Sequence, residues 1–67
     1  MDIQIGQRYG FYDEDAFEGV YRVENLLDGL DGHVILINID DAADQAMCQR
    51  PRFETEVENG TWVLFFP

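Results

Sequence analysis

FETEVENGTWVLFF, residues 53–66, places strand-like runs on both sides of Asn59-Gly60, the first alternating with Glu54, Glu56 and Glu58 and the second apolar from Trp62 on. Both residues of that dipeptide tolerate positive φ, which makes it the strongest short signal for a β-hairpin. A two-residue turn sets Glu58 opposite Thr61, Val57 opposite Trp62 and Phe53 opposite Phe66. Period-two alternation then puts Phe53, Thr55, Val57, Trp62, Leu64 and Phe66 on an inward face. Glu54, Glu56 and Glu58 line the other face of the first strand, with Val63 and Phe65 beside them on the second. Trp62 is expected to be buried against Val57.

Working outward, HVILINI, residues 33–39, is bounded by Gly32 on one side and Asp40-Asp41 on the other. It is dense in β-branched residues and apolar on both faces, the pattern of a strand inside a sheet. GVYRVENLL, residues 19–27, can pair with it through the connection Asp28-Gly29-Leu30-Asp31-Gly32. A helix competes for this region. Ala16, Val20, Val23, Leu27 and Leu30 recur at helical steps, Glu18 and Arg22 form an i,i+4 pair, and Gly29 could end the helix. Gly19 and the neighbouring β-branched and aromatic residues weaken that helix, so strand is preferred. DDAADQAMCQ, residues 40–49, predicts a short helix capped by Asp40 or Asp41, with Arg50 near its end and Pro51 stopping it. Residues 3–12 predict another strand, with bends at Gly6 and Gly10. The whole chain, 1–67, reads as a single α+β domain: a four- or five-stranded, mostly antiparallel sheet with one short helix.

Composition narrows the chemistry. The chain has 67 residues and a formal charge of -10, from fourteen carboxylates against four arginines, and it lacks lysine and serine. Its 46% hydrophobic content, with five Phe, three Tyr and one Trp, marks a folded domain rather than an acidic disordered tail. Serine hydrolysis and lysine Schiff-base chemistry have no nucleophile here. A single cysteine, Cys48, forms no internal disulfide, which points to a reducing compartment. MDIQIGQRYG has no basic region followed by an apolar run and does not read as a signal peptide. VILINI falls far short of the ~20 residues that span a bilayer. The expected location is the cytoplasm, and the charge repels nucleic acid and anionic membranes alike.

Metal and acid–base sites fare no better. Cys48 and His33 are two N or S ligands where structural zinc takes about four. As a thiolate pair they compete with plainer readings: a small buried thiol beside Ala46 and Met47, and a solvated histidine after a glycine turn. An EF-hand count through Asp13, Asp15 and Glu24 fails, because Phe17 takes the fifth position and Glu18 the one that needs glycine. Paired acids for glycoside hydrolysis can be drawn, but so thin a core offers no deep cleft. Neither an enzyme nor a cofactor is expected.

The carboxylates remain. Asp13, Glu14, Asp15 and Glu18 cluster; Asp28 and Asp31 flank a connection; Asp40, Asp41 and Asp44 gather on the expected helix. On a strand, Glu54, Glu56 and Glu58 would stand about 6.6–6.8 Å apart, a rigid row of negative charge comparable to phosphates on a nucleic-acid strand. A solvated acidic face that keeps a small protein soluble is the plain alternative for any one cluster. Clustering together with the large net charge favours a cationic partner.

In size, single-domain build and acidity the chain resembles the small phage proteins that inhibit host nucleic-acid-binding machinery, in particular anti-CRISPR proteins that act as DNA mimics. The run GVYRVENLLDGLDGHVILINIDD with FETEVENGTW also looks like the small β-domains attached to integrase-type transposases. The first resemblance implies a phage inhibitor in a bacterial host that binds a basic nucleic-acid-binding protein or ribonucleoprotein and excludes DNA or RNA without binding either itself. The second implies a non-catalytic interaction module. Partner-binding residues are expected at Glu54, Glu56 and Glu58, then at Asp13, Glu14, Asp15 and Glu18, with Phe65 and Tyr12 as aromatic anchors among them.

Overall fold

The computed structural model describes residues 2–28 and 32–66, apart from the side chain of Phe66. Within them run β1 (Arg8–Asp13), β2 (Ala16–Leu27), β3 (His33–Asn38), β4 (Asp41–Gln49), α1 (Arg50–Glu58) and β5 (Trp62–Phe66). They build one sheet in the order β4-β3-β2-β1-β5, with every neighbouring pair antiparallel. The first four strands form a meander, and β5 returns to the free side of β1. The long strand β2 joins the halves: β1 pairs with Ala16 to Arg22, and β3 with Tyr21 to Leu27. The α+β architecture and the strand reading of residues 19–27 match the sequence, as does the strand expected over residues 33–39, which ends at Asn38. Gly29, Leu30 and Asp31 of their connection lie outside the described residues, as does the expected inward face of Phe66.

Two elements exchange identities. Residues 50–58 form α1, so the expected hairpin about Asn59-Gly60 is absent and Glu54, Glu56 and Glu58 form no strand row. Pro51 does not stop a helix; it sits in the first turn of one, where its missing N–H has no intrahelical partner to lose. Asn59-Gly60 closes α1 instead. Gly60, at φ 89°, sends its N–H to the Val57 carbonyl at 3.3 Å, and Thr61 sends its own to the Glu56 carbonyl at 2.9 Å. This crossed pair satisfies the last carbonyls of the helix and requires the left-handed residue that glycine supplies. Conversely, residues 41–49 are the edge strand β4, paired with β3 from His33↔Gln49 to Asn38↔Asp41, and not a helix.

The core lies between one face of the sheet and α1. Tyr9, Tyr21, Val23, Val34, Leu36, Phe53 and Trp62 are buried there, with Ile3 from the N-terminal segment. Phe53, the one buried residue of α1, meets Tyr9 edge-on at 5.1 Å and lies 5.5 Å from Trp62. Trp62 also packs on Phe11 at 4.6 Å and Tyr21 at 5.5 Å. Such aromatic pairs add about 0.5–1.5 kcal/mol beyond the area they bury. Val57 packs on this cluster, but from a helix rather than across a hairpin. The buried polar Gln7 is hydrogen-bonded at both ends of its amide: its Oε1 accepts from the Gln4 N–H at 2.9 Å and the Tyr9 hydroxyl at 3.0 Å, and its Nε2 donates to the Asp2 carbonyl at 3.1 Å.

Candidate functional site: an acidic end with an aromatic face

Strand direction gathers charge. β1 and β3 both run antiparallel to β2, so the β1–β2 and β3–β4 turns point the same way along the sheet, the first beyond Ala16 and the second beside Val20 and Tyr21. α1 starts at the opposite end, where the Arg50 N–H bonds the Gly32 carbonyl at 3.1 Å, and finishes beside β1, where the Tyr12 N–H bonds the Thr61 carbonyl at 2.8 Å. Asp13, Glu14, Asp15 and Glu18 stand on or beside the first turn. Asp40, Asp41 and Asp44 stand on the second, and Glu58 ends the helix. All eight are exposed, and none of the four arginines falls within residues 13–18, 38–44 or 58–61. The negative end of the α1 dipole adds to this field. Arg22 instead binds Glu24 at 2.6 Å, and Arg52 approaches Glu56 at 3.6 Å.

The first turn is the most unusual part. Asp13 pairs with Ala16, leaving Glu14 and Asp15 as a two-residue loop with φ of 49° and 67°. Positive φ at both positions matches the hairpin turn that Asn-Gly fills best. A left-handed L-residue costs about 1–2 kcal/mol, less for Asp and Asn, whose short polar side chains bond locally. The pair Glu14→Asn, Asp15→Gly is therefore expected to raise stability by about 1 kcal/mol. In urea titrations its midpoint should move up with the slope unchanged; a lower midpoint contradicts a strained turn.

Helix formation divides the expected row of glutamates. Glu58 joins the acidic end and Glu54 is half-buried. Glu56 is held against the core, its Oε1 accepting from the Trp62 indole N–H at 3.3 Å. Glu56 has a structural partner, and the three do not form one surface.

The sheet face opposite the core carries an aromatic cluster at this same end. Tyr12 and Phe17 rings lie 5.4 Å apart, and Phe17 and Phe65 lie 6.3 Å apart with planes 24° from parallel. Phe17 is 54% exposed and Phe65 41%. Gly10 lies mid-strand beneath Phe65 and is not a bend: a Cβ there would stand 2.6 Å from the Phe65 ring. The structure thus joins Tyr12 and Phe65, both expected as anchors, to Asp13, Glu14, Asp15 and Glu18. It adds Phe17 as the link. Phe17 could have been found from the sequence only through the Glu14-Asp15 turn, which sets it across from Tyr12.

Comparison with family models, curated proteins and solved structures finds no match to this chain.

A recess of about 440 Å³ lies between β4 and α1, lined by Phe11, Ala46, Cys48 and Trp62 together with Arg52 and Glu56. Cys48 lies on a strand, not the expected helix. Burial, then the nearby Glu56 carboxylate, push its thiol pKa up, which keeps it protonated and a weak nucleophile. No group of three or more His, Cys, Asp or Glu able to hold a metal occurs among the described residues, and no helix there is long and apolar enough to cross a membrane.

Tyr21 ties the second turn to the core. Its hydroxyl donates to Asp44 Oδ2 at 2.5 Å, and Asn38 Nδ2 donates to the same oxygen at 3.2 Å. That hydrogen bond, then burial, raise the Tyr21 pKa, and burial with the Asp2 charge raises that of Tyr9. A raised folded-state pKa favours protons on the native protein, so both contributions are complete below pH ~10 and fade as pH climbs through the folded values. Stability measured by thermal unfolding should fall above pH ~10, and Tyr21→Phe should reduce the steepness of that fall. An unchanged pH profile in the variant contradicts the Tyr21–Asp44 link.

Proposed function

We propose that the domain is a small acidic inhibitor that docks its hairpin end on a basic nucleic-acid-binding surface and excludes DNA or RNA, in the manner of anti-CRISPR DNA mimics. One observation carries this reading: carboxylates occupy both positive-φ positions of the β1–β2 turn, and the two turns that point this way, with the end of α1, carry eight exposed acids and no arginine. Asn-Gly would serve the turn better, and interspersed bases would relieve the repulsion. Pre-ordered charge on a short hairpin binds without a large ordering cost. The exposed rings supply contact area that charge alone does not.

A second reading is an interaction module working through a sheet edge. The unpaired side of β4 and the adjoining recess favour it, since an extended peptide could add a strand there. Capture from bacterial lysate on the immobilised domain separates the two. The inhibitor reading expects a basic nucleic-acid-binding protein that is released by salt and carries no bound DNA or RNA. A neutral partner that resists salt contradicts it and favours the module.

A further inference from the structure

We propose that the aromatic face beside the acidic turn is an arginine-reading platform, so that the partner is engaged through guanidinium groups rather than through positive charge in general. This rests on the inhibitor reading and adds the chemistry of the contact. Phe17 and Phe65 present exposed rings 24° from parallel, and Tyr12 extends the group. Because Gly10 has no side chain, Phe65 can lie against the strand; any Cβ at that position would displace it. Exposed carboxylates adjoin the rings in the chain: Glu14 and Asp15 form the turn between the Tyr12 and Phe17 strands, and Asp13 and Glu18 flank it in sequence.

The two features together suit one cation best. A guanidinium is flat and weakly hydrated, so it stacks on a ring while its in-plane N–H groups reach carboxylates, singly or in a bidentate fork. An ammonium is a compact, strongly hydrated point charge and satisfies the carboxylates without the rings. Charge complementarity argues for the same occupant. A second copy of this chain would set acidic turn against acidic turn, and nucleic acid would meet the same repulsion.

The test titrates the isotope-labelled domain with hexa-arginine and with hexa-lysine, following backbone amides and aromatic protons by NMR. Hexa-arginine should bind about fivefold more tightly, with its largest shifts at Tyr12, Phe17 and Phe65. Phe17→Leu with Phe65→Leu keeps apolar bulk, removes the π faces and should bring hexa-arginine down to the hexa-lysine value. Gly10→Ala, which displaces Phe65, should do part of the same. Equal binding of the two peptides, or an arginine preference that survives the Leu variants, overturns the platform and leaves the charge-based reading intact. Failure of both peptides to bind overturns that reading as well. Concentration-dependent shifts of these rings without peptide would show that the face pairs with itself and would overturn the platform.

Discussion

Phe53→Ala is expected to remove between about a third and all of the domain's stability. Removing a fully buried phenylalanine costs about 3–5 kcal/mol, from lost transfer free energy and the cavity left behind. A domain of this length is stable by only about 3–10 kcal/mol in total, at roughly 0.05–0.15 kcal/mol per residue. Phe53 is also the one buried residue of α1 and touches both Tyr9 and Trp62, so its loss undocks the helix from β1 and β5 together. Phe53→Leu keeps much of the volume and should retain a cooperative transition at a lower midpoint. Circular dichroism with urea titration reads both variants. Native-like stability in Phe53→Ala would mean that α1 is not packed as described.

The second large effect is on binding. Substituting Asp13→Asn, Glu14→Gln, Asp15→Asn and Glu18→Gln together should leave the fold unchanged or more stable, because neighbouring like charges repel. Affinity for a basic partner, or for hexa-arginine in its place, should fall by about tenfold or more, equivalent to about 1.4 kcal/mol. Removing three charges elsewhere, at Asp2, Asp28 and Glu54, should have a much smaller effect. Similar losses in the two sets would mean that net charge acts, rather than the acidic end.

Much of the sheet was legible because β2 and β3 carry the signals that decide it. HVILINI is too β-branched for a helix and too apolar for an edge, and it lies between β2 and β4. The exchange of α1 and β4 has two physical sources. Asn-Gly is favoured wherever positive φ is needed, so it marks the end of a helix as readily as a hairpin. The period-two run before it also contains the helical pairs Phe53–Val57 and Arg52–Glu56, and Pro51 suits a first turn. In β4, the alanines and aspartates favour a helix locally, but pairing with β3 overrides them: Ala46 and Cys48 face Leu36 and Val34 across the ladder and pack on the core.

The candidate site was legible in part. Asp13, Glu14, Asp15, Glu18, Tyr12 and Phe65 do come together, because a two-residue turn and the return of β5 to β1 are enough to assemble them. The glutamate row depended on a strand that does not exist. The contribution of Asp40, Asp41 and Asp44 was hidden, since only the antiparallel meander points the two turns the same way. Nothing in local sequence carries that information.

The proposed inhibitor takes the place of nucleic acid on its partner with its acidic turns. The most direct measurement is the affinity of the domain for the isolated partner, with and without saturating DNA or RNA, across a salt series. Binding is expected to be abolished by nucleic acid and weakened by added salt, with a slope shallower than that of nucleic acid itself, whose condensed counterions are released on binding. Undiminished binding to a partner already saturated with nucleic acid would contradict it.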